Sequence, residues 1–445
     1  MKQRLLRLSA TLLLGGLALF GVAVVWHNWG DLLTAPSATS APGSNLPASS
    51  ETLQRGEYLV RAGNCIACHT TRGGAPLAGG RAIDTPFGAV YSSNLTPDAD
   101  TGLGRWQAQD FWNALHHGRS RGGRLLAPAF PYEHTSVITR EDSDAMFAWL
   151  QSRPPVRQAT PAHTLTWPLG TQPALAVWRV LFFEPSPFRA DPQQSAQWNR
   201  GAYLVQGLGH CAACHSPRNA LGATPGVDAL SGGLMPVVNW YAPNLQDDRE
   251  TGLASTPLAE IVRLLQTGQG QGASVNGPMA EVVQHSLQHL NPEDLQAMAV
   301  YLRSRAQATS APTATAAPNA STPAIPSVRA SVIDKGSRVY ERHCATCHGE
   351  QGQGVAGIYP ALSGNRAVLL SDPTNLVQTV LSGGYGPATA GHPRPFGMPP
   401  FVLDLSDADI AAVLTHLRHT LQPPQNRAGE VTPLQVNRIR AMADE

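Results

Sequence analysis

Aromatic residues make up only 6% of the 445-residue chain, and acidic and basic side chains nearly cancel, leaving a formal charge of +1. That balance removes the electrostatic case for a nucleic-acid partner or a polybasic membrane patch. No run shows the sustained apolar–polar alternation of a strand. No nucleotide loop, hydrolase elbow or zinc-site pattern occurs. Nor is any cysteine left over once one short motif has been counted.

All six cysteines belong to three copies of C-x-x-C-H: Cys65, Cys68 and His69; Cys211, Cys214 and His215; Cys344, Cys347 and His348. That spacing is the c-type haem attachment signature. The two thiols add across the haem vinyl groups, and the adjacent histidine reaches the iron as proximal ligand. One isolated copy would also suit a redox disulfide or half of a zinc site. Three well-separated copies that use every cysteine point instead to three covalently bound haem c groups. The scarcity of aromatics beside 42 Gly and 37 Pro fits small domains whose cores are completed by a large apolar cofactor. At 445 residues, about three domains are expected.

The N-terminus supplies the one long apolar run. Lys2, Arg4 and Arg7 precede an uncharged stretch from Ser9 to Trp26, with Trp26 and Trp29 at interface depth. A cleaved signal peptide and an uncleaved anchor compete. The small residues Ala35, Ser37 and Ala38 come too late for a normal cleavage site, which favours an anchor at 1–29. Either way the basic flank stays in the cytoplasm. The expected location is the inner membrane, with the rest of the chain on its periplasmic side.

An Ala/Pro/Ser-rich tether at 30–50 and an Ala/Pro/Thr-rich linker at 306–330 cannot bury enough apolar surface to order themselves. Between them the sequence is doubled. RGEYLVRAGNCIACHT answers RGAYLVQGLGHCAACHS, and Tyr91, Asn94 and Thr101-Gly102-Leu103 answer Tyr241, Asn244 and Thr251-Gly252-Leu253. Repetition at this length means tandem domains. The expected fold is all-α: three tandem class I cytochrome c domains at 51–155, 196–305 and 331–425 after an N-terminal membrane helix, with a connector at 156–195 and a tail at 426–445. Each domain ends in an amphipathic helix opened by a capping pattern: Thr139 with Asp142, Asn291 with Asp294, Ser406 with Asp409. Met146 and Met298 lie in these helices as core filler.

The sixth coordination position decides each haem's potential, and a methionine thioether there raises it. Met279 in GPMAEVV and Met398 in FGMPPF sit in proline-braced loops that suit a ligand better than packing. Pro76, Pro217 and Pro360 could supply rigid turns near the proximal imidazoles. In the first unit, alignment through Gly118 and Gly268 puts Phe130 where Met279 stands. Phenylalanine cannot ligate iron. His134, four residues on, is the candidate sixth ligand, with a five-coordinate haem or a remote ligand as alternatives. His116 and His117 end a predicted helix and suit solvated or capping roles.

The strings GRAIDTPFGAVYSSNLTPD, WNRGAYLVQGLGHCAACHSPRNALGA and GPMAEVVQHSLQHL resemble the multihaem cytochrome c subunits of bacterial membrane-bound dehydrogenases. The resemblance covers most of residues 51 to 425. It implies a catalytic partner subunit carrying molybdopterin, flavin or a quinoprotein cofactor, with ubiquinone or an oxidase as acceptor. PAFPYEH, from Pro128 to His134, looks more like members that accompany molybdenum hydroxylases acting on aldehydes or N-heterocycles. The implied function is electron transfer, with no substrate-converting site in this chain. Two other classes stand beside it: a peroxidase-like haem enzyme acting at an open first haem, and a redox or gas sensor.

Overall fold

The computed structural model describes residues 2–34, 48–310, 329–423 and 428–443. Most of the expected tether (35–47) and linker (311–328) lie outside the described residues, as do 424–427 and 444–445 of the end of the chain. The chain divides into two compact units: residues 1–57 with 69–188, and residues 58–68 with 189–445.

Each segment around a C-x-x-C-H motif opens with one helix and closes with another. The opening helices are Ser50–Ala62, Ala196–Tyr203 and Ala330–His343; the closing ones are Arg140–Gln151, Pro292–Ser310 and Asp407–His419. The closing helices start where capping chemistry places them. Thr139 Oγ1 accepts from the Asp142 amide at 3.3 Å, Asn291 Oδ1 from Asp294 at 2.7 Å, and Ser406 Oγ from Asp409 at 3.2 Å. Asp409 reciprocates by accepting from the Ser406 amide at 3.1 Å.

The same crossing then recurs three times. Gly56, Gly201 and Gly336 lie so close to the backbone of the closing helix that a Cβ would overlap the carbonyl oxygens of Ala145, Ala297 and Ala412. Four residues beyond each alanine, the side chains of Trp149, Tyr301 and His416 flank the contact. The residue before each glycine is basic and pairs with the capping-pattern acid: Arg55 with Asp142 at 2.6 Å, Arg200 with Asp294 at 2.7 Å, Lys335 with Asp409 at 2.9 Å. Glycine sets the separation of the helices, and the ion pair sets their register. Met146 and Met298 are each 2% exposed within the closing helices, as filler should be.

Among the described residues, four short antiparallel strand pairs interrupt the helices, including Ala82–Thr85 with Gly88–Tyr91 and Gly233–Met235 with Trp240–Ala242. They were not anticipated, because two to four residues are too few to display a strand period. The connector is not featureless either: it contains the helix Gln172–Phe182, opened by Thr171 and Pro173. The stretch read as a tail forms the helix Pro433–Ala443. Its Val436 and Ile439 join Val431 in the core of Val377, Leu381, Ile410, Val413, Leu414 and Leu417. The N-terminal helix runs Lys2–Thr34, past the expected end at 29, and its span Thr11–Gly30 is long and apolar enough to cross a membrane.

Candidate haem-binding sites

Each motif forms a single tight turn. Cys65–Cys68 is one helical turn, Cys211–Ala213 a 3-10 turn, and Ala345–His348 a helical turn opened by Cys344. The amides of Cys214 and Cys347 bond the carbonyls of Cys211 and Cys344 at 3.2 Å, and those of His215 and His348 bond the same carbonyls at 2.9 Å. A residue three or four positions along a helical turn shares its face, so thiols and imidazole project together. None of the six cysteines is in a disulfide. Burial pushes the Cys65 and Cys211 thiols up to about 12 and Cys344 up to about 11.

The second motif lies one residue further from the Arg-Gly pair of its opening helix than the first. The extra residue is absorbed by a π-turn at Leu204–Leu208, where the Gly209 amide reaches back five residues to the Leu204 carbonyl at 2.7 Å. In the first segment the Gly63 amide makes an ordinary four-residue bond to Leu59, the counterpart of Leu204, at 2.8 Å. The inserted residue is therefore lodged in the helix, and the motif keeps its form.

The three motif histidines are oriented alike. The Nδ1–H of His69 donates to the Ser93 carbonyl at 2.6 Å, that of His215 to Pro243 at 2.8 Å, and that of His348 to Pro360 at 3.0 Å. A carbonyl only accepts, so the proton sits on Nδ1 and Nε2 keeps its lone pair for a metal. Burial outweighs this bond and lowers each imidazole below the ordinary histidine value, which favours the neutral, ligating form. The donor set therefore fits haem c at each site: two thiols and one correctly tautomerised imidazole.

Of the three prolines expected to brace the imidazoles, Pro360 does so, whereas Pro76 and Pro217 do not. The acceptors in the first two sites are Ser93 and Pro243, one residue before Asn94 and Asn244 in the doubled Y-x-x-N string. The reason is local. Asn94 Oδ1 accepts from the Thr96 amide and Asn244 Oδ1 from the Gln246 amide, each at 2.9 Å. These Asx turns fix the direction of the preceding carbonyl. The repeat held this signal, since both asparagines recur at one offset. The backbone beyond the motif recurs as well: the amides of Gly79, Gly232 and Gly354 each donate to the carbonyl of the proximal histidine at 2.8 Å.

The opposite sides differ. Met279 is half-buried at the start of helix Pro278–His285, whose leading Gly277 packs against the Trp240 ring. Met398 is half-buried in a two-residue strand, Gly397–Met398, paired with Gly384–Tyr385. It packs against the same core cluster as Cys344. In the first segment Phe130 is half-buried, and His134 lies in the short helix Tyr132–Thr135 at 1% exposure. That helix is pinned on both sides: Thr135 Oγ1 donates to the Leu115 carbonyl at 2.6 Å, and the Arg179 guanidinium lies over the Tyr132 ring at 5.2 Å. The modest loop shift that would carry His134 to an iron would have to break these contacts. His116 is buried rather than solvated, stacked on Trp112 at 4.4 Å between ring centroids.

The family described as Cytochrome c has a profile that matches residues 199–306 and 333–421. The cytochrome c subunit of gluconate 2-dehydrogenase from Pantoea cypripedii is 36% identical over 380 residues, covering 83% of this chain and 86% of that one. The cytochrome c subunit of alcohol dehydrogenase (quinone) from Komagataeibacter europaeus is 38% identical over 411 residues, covering 88% and 85%. A subunit of nicotinate dehydrogenase from Pseudomonas putida is 42% identical over 377 residues; the match takes in 83% of this chain but 30% of that longer protein.

Proposed function

Because this chain belongs to the cytochrome c subunits of membrane-bound dehydrogenases, we propose that it holds three haem c groups on the periplasmic side of the inner membrane. There it would pass electrons from a dehydrogenase subunit to ubiquinone or an oxidase. The observation that carries this is the threefold recurrence of C-x-x-C-H with the imidazole Nδ1 engaged by a backbone carbonyl. When bound, haem supplies a one-electron ferric/ferrous couple. Cys65 and Cys68, Cys211 and Cys214, and Cys344 and Cys347 would fix it covalently, with His69, His215 and His348 as proximal ligands. Met279 and Met398 would be the distal ligands of the second and third. His134 would be the distal ligand of the first.

A molybdenum-hydroxylase partner is the reading we favour. The relative named for nicotinate, an N-heterocyclic acid, has higher identity to this chain than those named for gluconate and alcohol. Flavin and quinoprotein partners are the alternatives. The test is purification of the complex from native membranes, identification of the partner's cofactor, and addition of that partner's substrate. The haem α-bands should be reduced by substrate and reoxidised by a ubiquinone analogue. Haems that stay oxidised with an active partner present would overturn the reading. One observation favours a second reading: Phe130 at the position of Met279 leaves room for peroxidase-like chemistry at the first haem. A high-spin ferric signal together with peroxide turnover would support it.

A further inference from the structure

The helix Gln172–Phe182 has the reverse of a normal surface pattern. Its sequence, QPALAVWRVLF, holds one charged residue, Arg179. That arginine points inward at 2% exposure, donating from Nε to Asn28 Oδ1 at 2.6 Å with its guanidinium over Phe183 at 4.7 Å. Leu175 and Ala176 share its buried face. The outward faces carry Pro173, Val177, Val180 and Leu181, none of them polar, with Leu181 55% exposed. Nearby, Trp167 is 83% exposed. A helix facing water turns its charge out and its apolar stripe in. This one turns its charge in and is apolar on both faces.

Its depth is fixed by the N-terminal helix. Asn28 Nδ2 donates to the Ala176 carbonyl at 3.1 Å, and Val24 and Trp29 pack against Leu175 and Ala176. Asn28 lies two residues before the end of the apolar span Thr11–Gly30. The span's 20 residues, at ~1.5 Å rise, match a hydrocarbon core of ~30 Å, so Ala176 sits level with the membrane–water boundary. Interfacial helices bury an apolar face at that depth and place Trp at the headgroups. Here the protein itself, through Arg179, takes the place of the usual charged outer face.

We infer that the helix Gln172–Phe182, with Trp167, lies in the surface of the lipid bilayer as a second membrane contact beside the N-terminal helix. The inference rests on the reading of Thr11–Gly30 as a membrane span. Lipid is chosen over a protein partner because Asn28, two residues from the end of the span, bonds the Ala176 carbonyl and so holds the helix at the depth of the bilayer surface.

The test uses the full-length holo-protein in lipid nanodiscs. Leu181→Cys and, separately, Leu13→Cys are labelled with an environment-sensitive fluorophore, with the unmodified protein as blank. Both substituted residues are exposed, so folding is preserved. Brominated lipids should quench the label at position 181 as they quench it at 13, and aqueous iodide should not. Quenching by iodide but not by lipid would show the helix facing water and overturn the inference. Protection from both would show protein covering it, which also overturns it. Lipid quenching at 181 without lipid quenching at 13 would keep the surface helix and remove the span, separating the two readings. Val177→Cys repeats the measurement on a neighbouring turn.

Discussion

Between Gly118 and its closing helix, the first haem segment carries Phe130 and a buried, pinned turn. Between Gly268 and its closing helix, the second carries Met279 behind Pro278. On the proximal side the two are nearly the same object: glycine crossing, basic–acidic register pair, Asx-directed carbonyl and imidazole tautomer. The attachment side has kept its geometry through a one-residue insertion, which a π-turn absorbs. The opposite side carries Phe130 in one copy and Met279 in the other. Attachment needs a fixed constellation of two thiols and an imidazole, whereas the sixth ligand is the lever by which potential is set. Two copies of one scaffold can therefore differ in potential while sharing a core.

The widest separation should come from the distal ligands. Met279→Ala and Met398→Ala should each remove a thioether-to-iron absorption component and lower one potential by on the order of 0.1 V or more, within the ~0.8 V that axial ligands span. Phe130→Ala should leave all three potentials in place. An unchanged spectrum in either methionine variant would show that residue to be packing. At the first haem, His134→Ala should abolish a bis-histidine low-spin signal in electron paramagnetic resonance. Survival of that signal would remove His134 from the ligand set.

Next in size is the crossing. Gly201→Ala forces a methyl into the Ala297 carbonyl and should destabilise by ~1–3 kcal/mol or more, measured by denaturant unfolding. Gly56→Ala and Gly336→Ala should cost similar amounts, because the same contact recurs. A near-zero cost at one of the three would end the claim of a common device.

Smaller effects should rank the register pairs. Asp294 accepts two bonds from Arg200 and one from Tyr58, all at 2.6–2.7 Å, and is 5% exposed. Breaking it with Asp294→Asn should cost ~3 kcal/mol. The more exposed Lys335–Asp409 pair should be worth below ~1 kcal/mol. Burial raises the Asp294 carboxyl, but the bonds from Arg200 and Tyr58 outweigh it and hold the group below the ordinary carboxylate value. A depressed folded-state pKa contributes stability that is complete above pH ~4 and is lost as pH falls through the folded value. The acid limb of the stability curve should therefore be shallower in Asp294→Asn. An identical limb would show that Asp294 does not titrate with folding.

What could be read in the sequence was what is local. The three motifs, the doubled unit, the capping patterns and the core methionines depend on residues within a few positions of one another. The imidazole acceptors were half-legible: the asparagines recur visibly, but that each directs the carbonyl before it is a property of the folded turn. The glycine crossings join residues about 80 to 100 positions apart, so the sequence shows only a basic residue before each glycine. Least legible was the helix Gln172–Phe182, whose meaning depends on Arg179 turning inward to Asn28.

Three equivalent attachment sites are tested most directly by the mass of the purified holo-protein. It should exceed the polypeptide mass by three haems, with thioether-linked peptides recovered for each C-x-x-C-H and no thiol open to alkylation after denaturation. A mass with two haems, or a Cys65–Cys68 pair recovered as a disulfide, would contradict it.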